Sequence, residues 1–522
     1  MRRIEDDPGL PLKLWRCSNG EFIPARTDPV AHEAMRRARR LSDESARRLG
    51  WSRRRFLTSS TGMAAGLIAL AACTDEKRRA EPSTTPSTTT RSTTTRSTTT
   101  GPTTTPTQRP TTTTGTTSTT TLGPGGTLEV PPTAATDPEL ATSTTHVPVG
   151  TLLIDVQNHL LDYELHPDAA DFGAGFPQAS CDAGDSRLCF TPQRWADLVF
   201  AQSDTTMAVL SAIPVVGGVS PLSIEAMERG KQVASELCGD GRVLIQGHAV
   251  PNVGPIEAAL DSMSAVAAEH DICAWKVYTH AGAGWFLDDH DPNGALVGEQ
   301  FLGHVESLGP PVVAVHKGLS GDSPFASPVD IGPAAANHPG VSFVVYHSGY
   351  EGTVAEGPYD PAGTGADRLV TTLADAGIAP GGNVYAELGS TWRAVMGDLD
   401  QAAHLLGKLL LAVGDDNVLW GTDSIWYGTP QDQIAAFKAF RITPEYQERF
   451  GYPKLTDERK AKILGLNAAR LFDIAQPLAA TCTPAEQQIR RATNPLANAT
   501  LGPVSRRDIF TTFVRDHPWV VE

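Results

Sequence analysis

Six short apolar runs in this sequence end on, or lead directly into, side chains that can bind a metal ion or move a proton. Asp155 and His159 close the run Leu152–Val156, and Lys276 and His280 close Cys273–Thr279. His316 ends Val312–His316, His347 ends Ser342–His347, Glu387 lies in Val384–Leu388, and Asp423 follows Val418–Thr422. Imidazole and carboxylate together suit Zn²⁺ or a similar divalent ion that keeps one position open for water. One histidine at a strand end is more often a hydrogen-bonded structural residue. Four at four such ends, with an acid after the last run, point to a shared site.

For those ends to meet, the runs must lie side by side and point the same way. Two more runs, Thr206–Ile213 and Val243–His248, bring the number to eight. Each is a near-continuous apolar stretch, as expected of a parallel strand buried on both faces. Between them lie segments long enough for a helical crossover, such as Ile224–Leu237 and Ile256–Glu269. Eight strand–helix units predict an α/β fold, a (β/α)₈ TIM barrel over residues 148–475, with every strand end on one face. The competing architecture is an open doubly wound sheet. No Gly-x-Gly-x-x-Gly turn follows the first run, which disfavours a dinucleotide site.

The segments Ile154-Asp155-Val156-Gln157-Asn158-His159, Val315-His316-Lys317-Gly318, Val344-Val345-Tyr346-His347-Ser348-Gly349 and Leu419-Trp420-Gly421-Thr422-Asp423-Ser424 resemble the amidohydrolase superfamily. They are most similar to its amidohydrolase-related branch, amidohydrolase 2, and Ile463 to Phe472 resembles that branch's terminal helix. The resemblance implies a mononuclear divalent metal, zinc first and manganese or iron as alternatives. The family's first-strand His-x-His pair falls on Gln157 and His159, its fifth-strand histidine on His316, its sixth-strand histidine on His347 and its eighth-strand aspartate on Asp423. Gln157 departs from the pattern, because a carboxamide is a poor zinc ligand beside imidazole.

The resemblance implies a hydrolase that activates water on the metal to cleave a C–N or C–O bond of a small molecule. Asp423 would be the general base, and His347 would stabilise charge developing on the substrate. Some members of the branch decarboxylate aromatic acids instead, and Arg393, after the seventh run, is a candidate for the carboxylate. A carboxylated lysine bridges two metals in binuclear relatives; with Gln157 in place of a ligand, Lys276 is expected to hydrogen-bond substrate or Glu387. Trp285 is a candidate pocket wall, as are Trp392 and Trp426. A barrel without its metal, acting as a cell-surface binding module, is the non-enzymatic alternative.

The first third of the chain is of another kind. The basic cluster Ser52-Arg53-Arg54-Arg55-Phe56-Leu57 leads into an apolar run from Gly62 to Ala72, the layout of an export signal and too short to span a bilayer. It resembles a twin-arginine signature, and Leu70-Ala71-Ala72-Cys73 resembles a lipobox. Residues 1–73 are therefore expected to engage the twin-arginine export machinery and leave the protein anchored through lipidated Cys73 on the outer face of the cytoplasmic membrane. Residues 74–147, rich in Thr, Ser and Pro, have little to bury and are expected to be a disordered linker. A chain starting at Cys73 carries 29 Lys and Arg against 51 Asp and Glu, which argues against a nucleic-acid partner. A homo-oligomer stays open. Of the seven cysteines, Cys181 and Cys189 flank a short loop and can pair in an exported protein. Cys238 and Cys482 have no evident partner, and residues 476–522 are expected to pack on the barrel.

Overall fold

The computed structural model describes residues 123–128, 152–176, 181, 185–292, 295–319, 323–478 and 482. The export signal, Cys73, most of the linker and most of the tail beyond residue 475 lie outside them.

A short strand β1 (Gly126–Leu128) precedes the barrel. The barrel strands are β2 (Ile154–Asn158), β3 (Met207–Leu210), β4 (Val243–His248), β5 (Ile272–Val277), β6 (Val312–His316), β7 (Ser342–Tyr346), β8 (Val384–Glu387) and β9 (Val418–Leu419). They form one eight-stranded parallel sheet in sequence order. The first and last strands close on each other through Val156 N–H to Trp420 O at 3.0 Å and His159 N–H to Ser424 O at 2.7 Å. This is the TIM barrel that the eight runs predict.

Helices cover the outside: α1 (Pro192–Ala196), α2 (Ile224–Cys238), α3 (Ile256–Glu269), α4 (Gly298–Leu308), α5 (Ile331–Asn337), α6 (Ala366–Asp375) and α7 (Leu399–Val413). Side-chain caps satisfy the first free N–H groups where the sequence supplies them, with Thr191 before α1, Ser223 before α2 and Asp398 before α7. Successive strand residues point to opposite faces. Leu153, Ala208, Val313 and Phe343 pack with the helical layer, whereas Ile154, Val209, Ala274, Ala314 and Val344 form a second core with the terminal helix residue Ala468. Two residues beyond three of these apolar positions stand Lys276, His316 and Tyr346. The strand pattern therefore places a polar layer above an apolar one.

β9 is shorter than its apolar run. After Leu419 the backbone turns to other partners: Trp420 N–H donates to Ile463 O, and Thr422 N–H donates to the Asp155 carboxylate. The linker expectation needs correction at one place. Gly126–Leu128 pairs antiparallel with β10 (Phe440–Ile442), and Leu128 is buried. A Cβ on Gly126 would lie 2.3 Å from the Phe440 ring, so glycine is what lets this strap approach.

The cysteine reading also changes. Cys181 is bonded to Cys189, and Cys238 at the end of α2 is bonded to Cys482, 244 residues away. Spacing carries no trace of such a distant pair. Cys273 is free and buried in β5, where burial pushes its thiol pKa up.

Candidate active site at the carboxyl ends of the strands

Asp423 lies at the centre of a hydrogen-bond network. Its Oδ1 accepts from Gln157 Nε2 at 3.0 Å and Trp426 Nε1 at 3.2 Å, and faces His159 Nε2 at 3.2 Å. Its Oδ2 accepts from Ser390 Oγ at 2.5 Å. Although burial opposes ionisation, the His159 contact, together with His347 and Ser390, holds the carboxyl well below the usual range. Trp426 also stacks on the His159 ring, with centroids 5.5 Å apart.

A second chain of contacts fixes two imidazoles. His347 Nδ1 is 2.7 Å from the Gly389 carbonyl oxygen, which can only accept, so Nδ1 carries the proton. His347 Nε2 is then the acceptor for His316 Nδ1–H at 3.2 Å. That leaves the lone pair of His316 on Nε2. Burial pushes both rings below the ordinary imidazole value and keeps them neutral at neutral pH. His280 stands over His316 at 4.7 Å between centroids, and burial pushes it down to about 4.

Beneath these rings lies Lys276, fully buried. Among the described residues its Nζ has no hydrogen-bond partner; it rests 3.7 Å from the Tyr346 ring centroid and 4.3 Å from that of Tyr278. Burial pushes it down to about 7, against the attraction of Glu387 and Asp423. Glu387 is pushed up by burial to about 8 and accepts from the backbone N–H groups of His347 and Gly389. Asp155, raised by burial to about 7, is bound by Thr422 and helps join β2 to the end of β9.

Three residues of this layer have left-handed backbone: His347 at φ 67°, Ser390 at φ 54° and Asp423 at φ 58°. Such conformations cost on the order of 1–3 kcal/mol each for non-glycine residues and concentrate where a side chain must be aimed. Here they turn side chains at the ends of β7, β8 and β9 into the polar layer.

The structure brings Gln157, His159, His316, His347, Lys276, Glu387 and Asp423 to the same face of the barrel. Four of the sequence expectations change. Trp285 is 1% exposed and packs edge-on against Phe301 of α4, as a core residue rather than a pocket wall. Arg393 pairs with Asp432 at 3.3 Å and lies over the Tyr427 ring, so its guanidinium is already engaged. Glu387 spends both oxygens on loop N–H groups and positions His347 instead of facing substrate. Trp392 is buried and donates to Gln433 O. The residues missed are Ser390 and Tyr427, whose hydroxyls are 3.0 Å apart and reach Asp423 through Ser390. A serine after a strand-end glycine is an ordinary turn signal, and nothing in the sequence singles it out.

The metal expectation meets the same geometry. Among the described residues no three His, Cys, Asp or Glu side chains are grouped to hold an ion. Asp423 is surrounded by N–H and O–H donors, His316 and His347 are bonded to each other, and Gln157 presents its amide N–H₂ to the carboxylate. These residues, as arranged, do not fit a resident divalent ion.

Solved structures similar to this chain include three of known description. A 2,6-dihydroxybenzoate decarboxylase from Rhizobium is 16% identical, with 62% of this chain and 100% of that one covered, at a TM-score of 0.34. A 5-carboxyvanillate decarboxylase from Novosphingobium aromaticivorans, complexed with manganese, is 14% identical over 64% and 99%, at 0.40. An amidohydrolase from Burkholderia multivorans is 15% identical over 62% and 99%, at 0.38. No curated protein matches the sequence. The family model described as Amidohydrolase matches residues 154–474, from the first barrel strand to the closing helix and over more than half of the sequence; the chain belongs to that family.

Proposed function

We propose that the barrel is a hydrolase that cleaves a C–O or C–N bond of a small, anionic molecule. The observation that carries this reading is the chain Gly389 O to His347 to His316, which puts the His316 lone pair on Nε2. Water attacking the substrate carbonyl gives its proton to His316, which returns it to the departing alkoxide or amine as the C–O or C–N bond breaks. His347 keeps that ring in the needed tautomer while sharing the charge that forms. Lys276, whose Nζ has no hydrogen-bond acceptor among the described residues, receives the substrate's negative group or the developing oxyanion. Asp423 is a poor base, because its oxygens already accept several hydrogen bonds. We therefore move the general-base role from Asp423 to His316.

The test is a panel of lactones, esters, amides and aromatic acids, with His316→Gln beside the native chain. Removing a positioned base should lower kcat/KM by about 10²–10⁴-fold. His304→Gln, on α4 and outside the site, should leave turnover unchanged. If His316→Gln keeps native turnover, the assignment fails.

A second reading, decarboxylation of an aromatic acid, is favoured by the ring surface beside His159. Phe172 and Phe176, half-buried with centroids 5.6 Å apart, supply that surface and pack on the buried Trp426. Release of CO₂ from an aromatic acid, without consumption of water, would select it. Tight binding with no turnover by any member of the panel would point to a binding module.

We also propose that the protein is exported through the twin-arginine route and held by lipidated Cys73. Two disulfides support an oxidising compartment. Cys73→Ala should shift the protein from the membrane fraction to the soluble one. An unchanged membrane fraction would remove the anchor from the proposal.

A further inference from the structure

The geometry points to a barrel that does its work without a resident divalent ion, with Gln157, Trp426 and Ser390 hydrogen-bonding the aspartate that relatives would use as a ligand. Three observations carry this. The first is what surrounds Asp423: an amide N–H, an indole N–H and a hydroxyl, at 3.0, 3.2 and 2.5 Å. An amide or indole nitrogen has no lone pair to give to a cation, and its hydrogen would point at one.

The second is His159. Its Nδ1 is 2.6 Å from the Ser211 carbonyl oxygen, so Nδ1 carries a proton. Its Nε2 faces the Asp423 carboxylate at 3.2 Å, so the ring's second nitrogen is turned directly on that oxygen. The third is the remaining pair. The nitrogen that His347 turns toward His316 accepts that ring's N–H, so these two atoms are used on each other.

The Gln157 amide is oriented by its neighbour. A carboxylate can only accept, so the atom facing Asp423 is nitrogen, and Oε1 turns toward Gly389, where a Cβ would lie 2.1 Å away. Only a residue without a side chain leaves room for that orientation. The side chain that breaks the family's His-x-His pattern is thus the one that donates where a histidine would have coordinated.

The inference deepens the enzyme reading of the same site, and metal content is measured separately from turnover on one preparation of the full mature chain. After incubation with excess Zn²⁺ or Mn²⁺ and desalting, the native chain should retain less than about 0.1 equivalent of metal. Added Co²⁺ should give no visible ligand-field bands. Gln157→His, which removes the donor and adds an imidazole, should gain both. About one equivalent in the native chain, lost in Asp423→Asn, overturns the inference. An active, metal-bearing chain overturns this inference alone. An inactive chain without metal overturns only the enzyme reading.

Discussion

An amide at position 157 and, at position 276, an amine with no hydrogen-bond partner among the described residues set the character of the site more than its histidines do. The histidines at 159, 316 and 347 are visible in the sequence because each sits at or just beyond the end of an apolar strand. Their roles are not visible there. Whether an imidazole donates or accepts depends on which nitrogen meets a carbonyl oxygen, and Gly389 and Ser211 supply those carbonyls from other loops. Lys276 gives the sharpest residue-level prediction. Replacing a buried, unpaired charge with an apolar chain of similar shape tends to be neutral or stabilising. Lys276→Met should therefore keep or raise Tm, while KM for an anionic substrate rises about 10–100-fold, the worth of a charge-assisted hydrogen bond. A neutral analogue should show no such rise. Equal losses for both substrates would make Lys276 structural.

Among the elements, strands with long β-branched runs are legible almost to the residue. Val243–His248 and Val312–His316 are the same in the sequence reading and in the barrel. β9 is not, because its last residues bond to Asp155 and the closing helix, partners far away in sequence. The strap β1 is harder still: three residues in a glycine- and threonine-rich stretch show no periodicity, and what holds them is pairing with β10, far away in the chain, with Gly126 fitted against Phe440. α7 yields a pH prediction. His404 bonds Tyr452 through Nδ1 at 2.8 Å among the rings of Tyr446 and Phe450, and burial pushes it from 6.5 down to about 4. As pH falls through 6.5, the unfolded chain takes up a proton that the folded chain refuses until about 4. This contribution to stability is complete above that upper value and is lost across the interval. Tm of the native chain should fall more steeply over that range than Tm of His404→Phe. Parallel curves would exclude His404 as the cause.

At the scale of the whole molecule, the two disulfides support the export proposed above, and one of them joins α2 to residue 482 beyond the barrel's closing helix. The strap adds a mechanical consequence. It lies between the amino-terminal third and β2, and its carboxyl-terminal partner β10 is far from β2 in the chain. A pull entering from the amino-terminal side reaches the β1–β10 pair before β2, the strand that holds Gln157 and leads to His159. If the chain is anchored as proposed, the β1–β10 pair would act as a strain relief, taking up tension before it reaches the side chains at the end of β2.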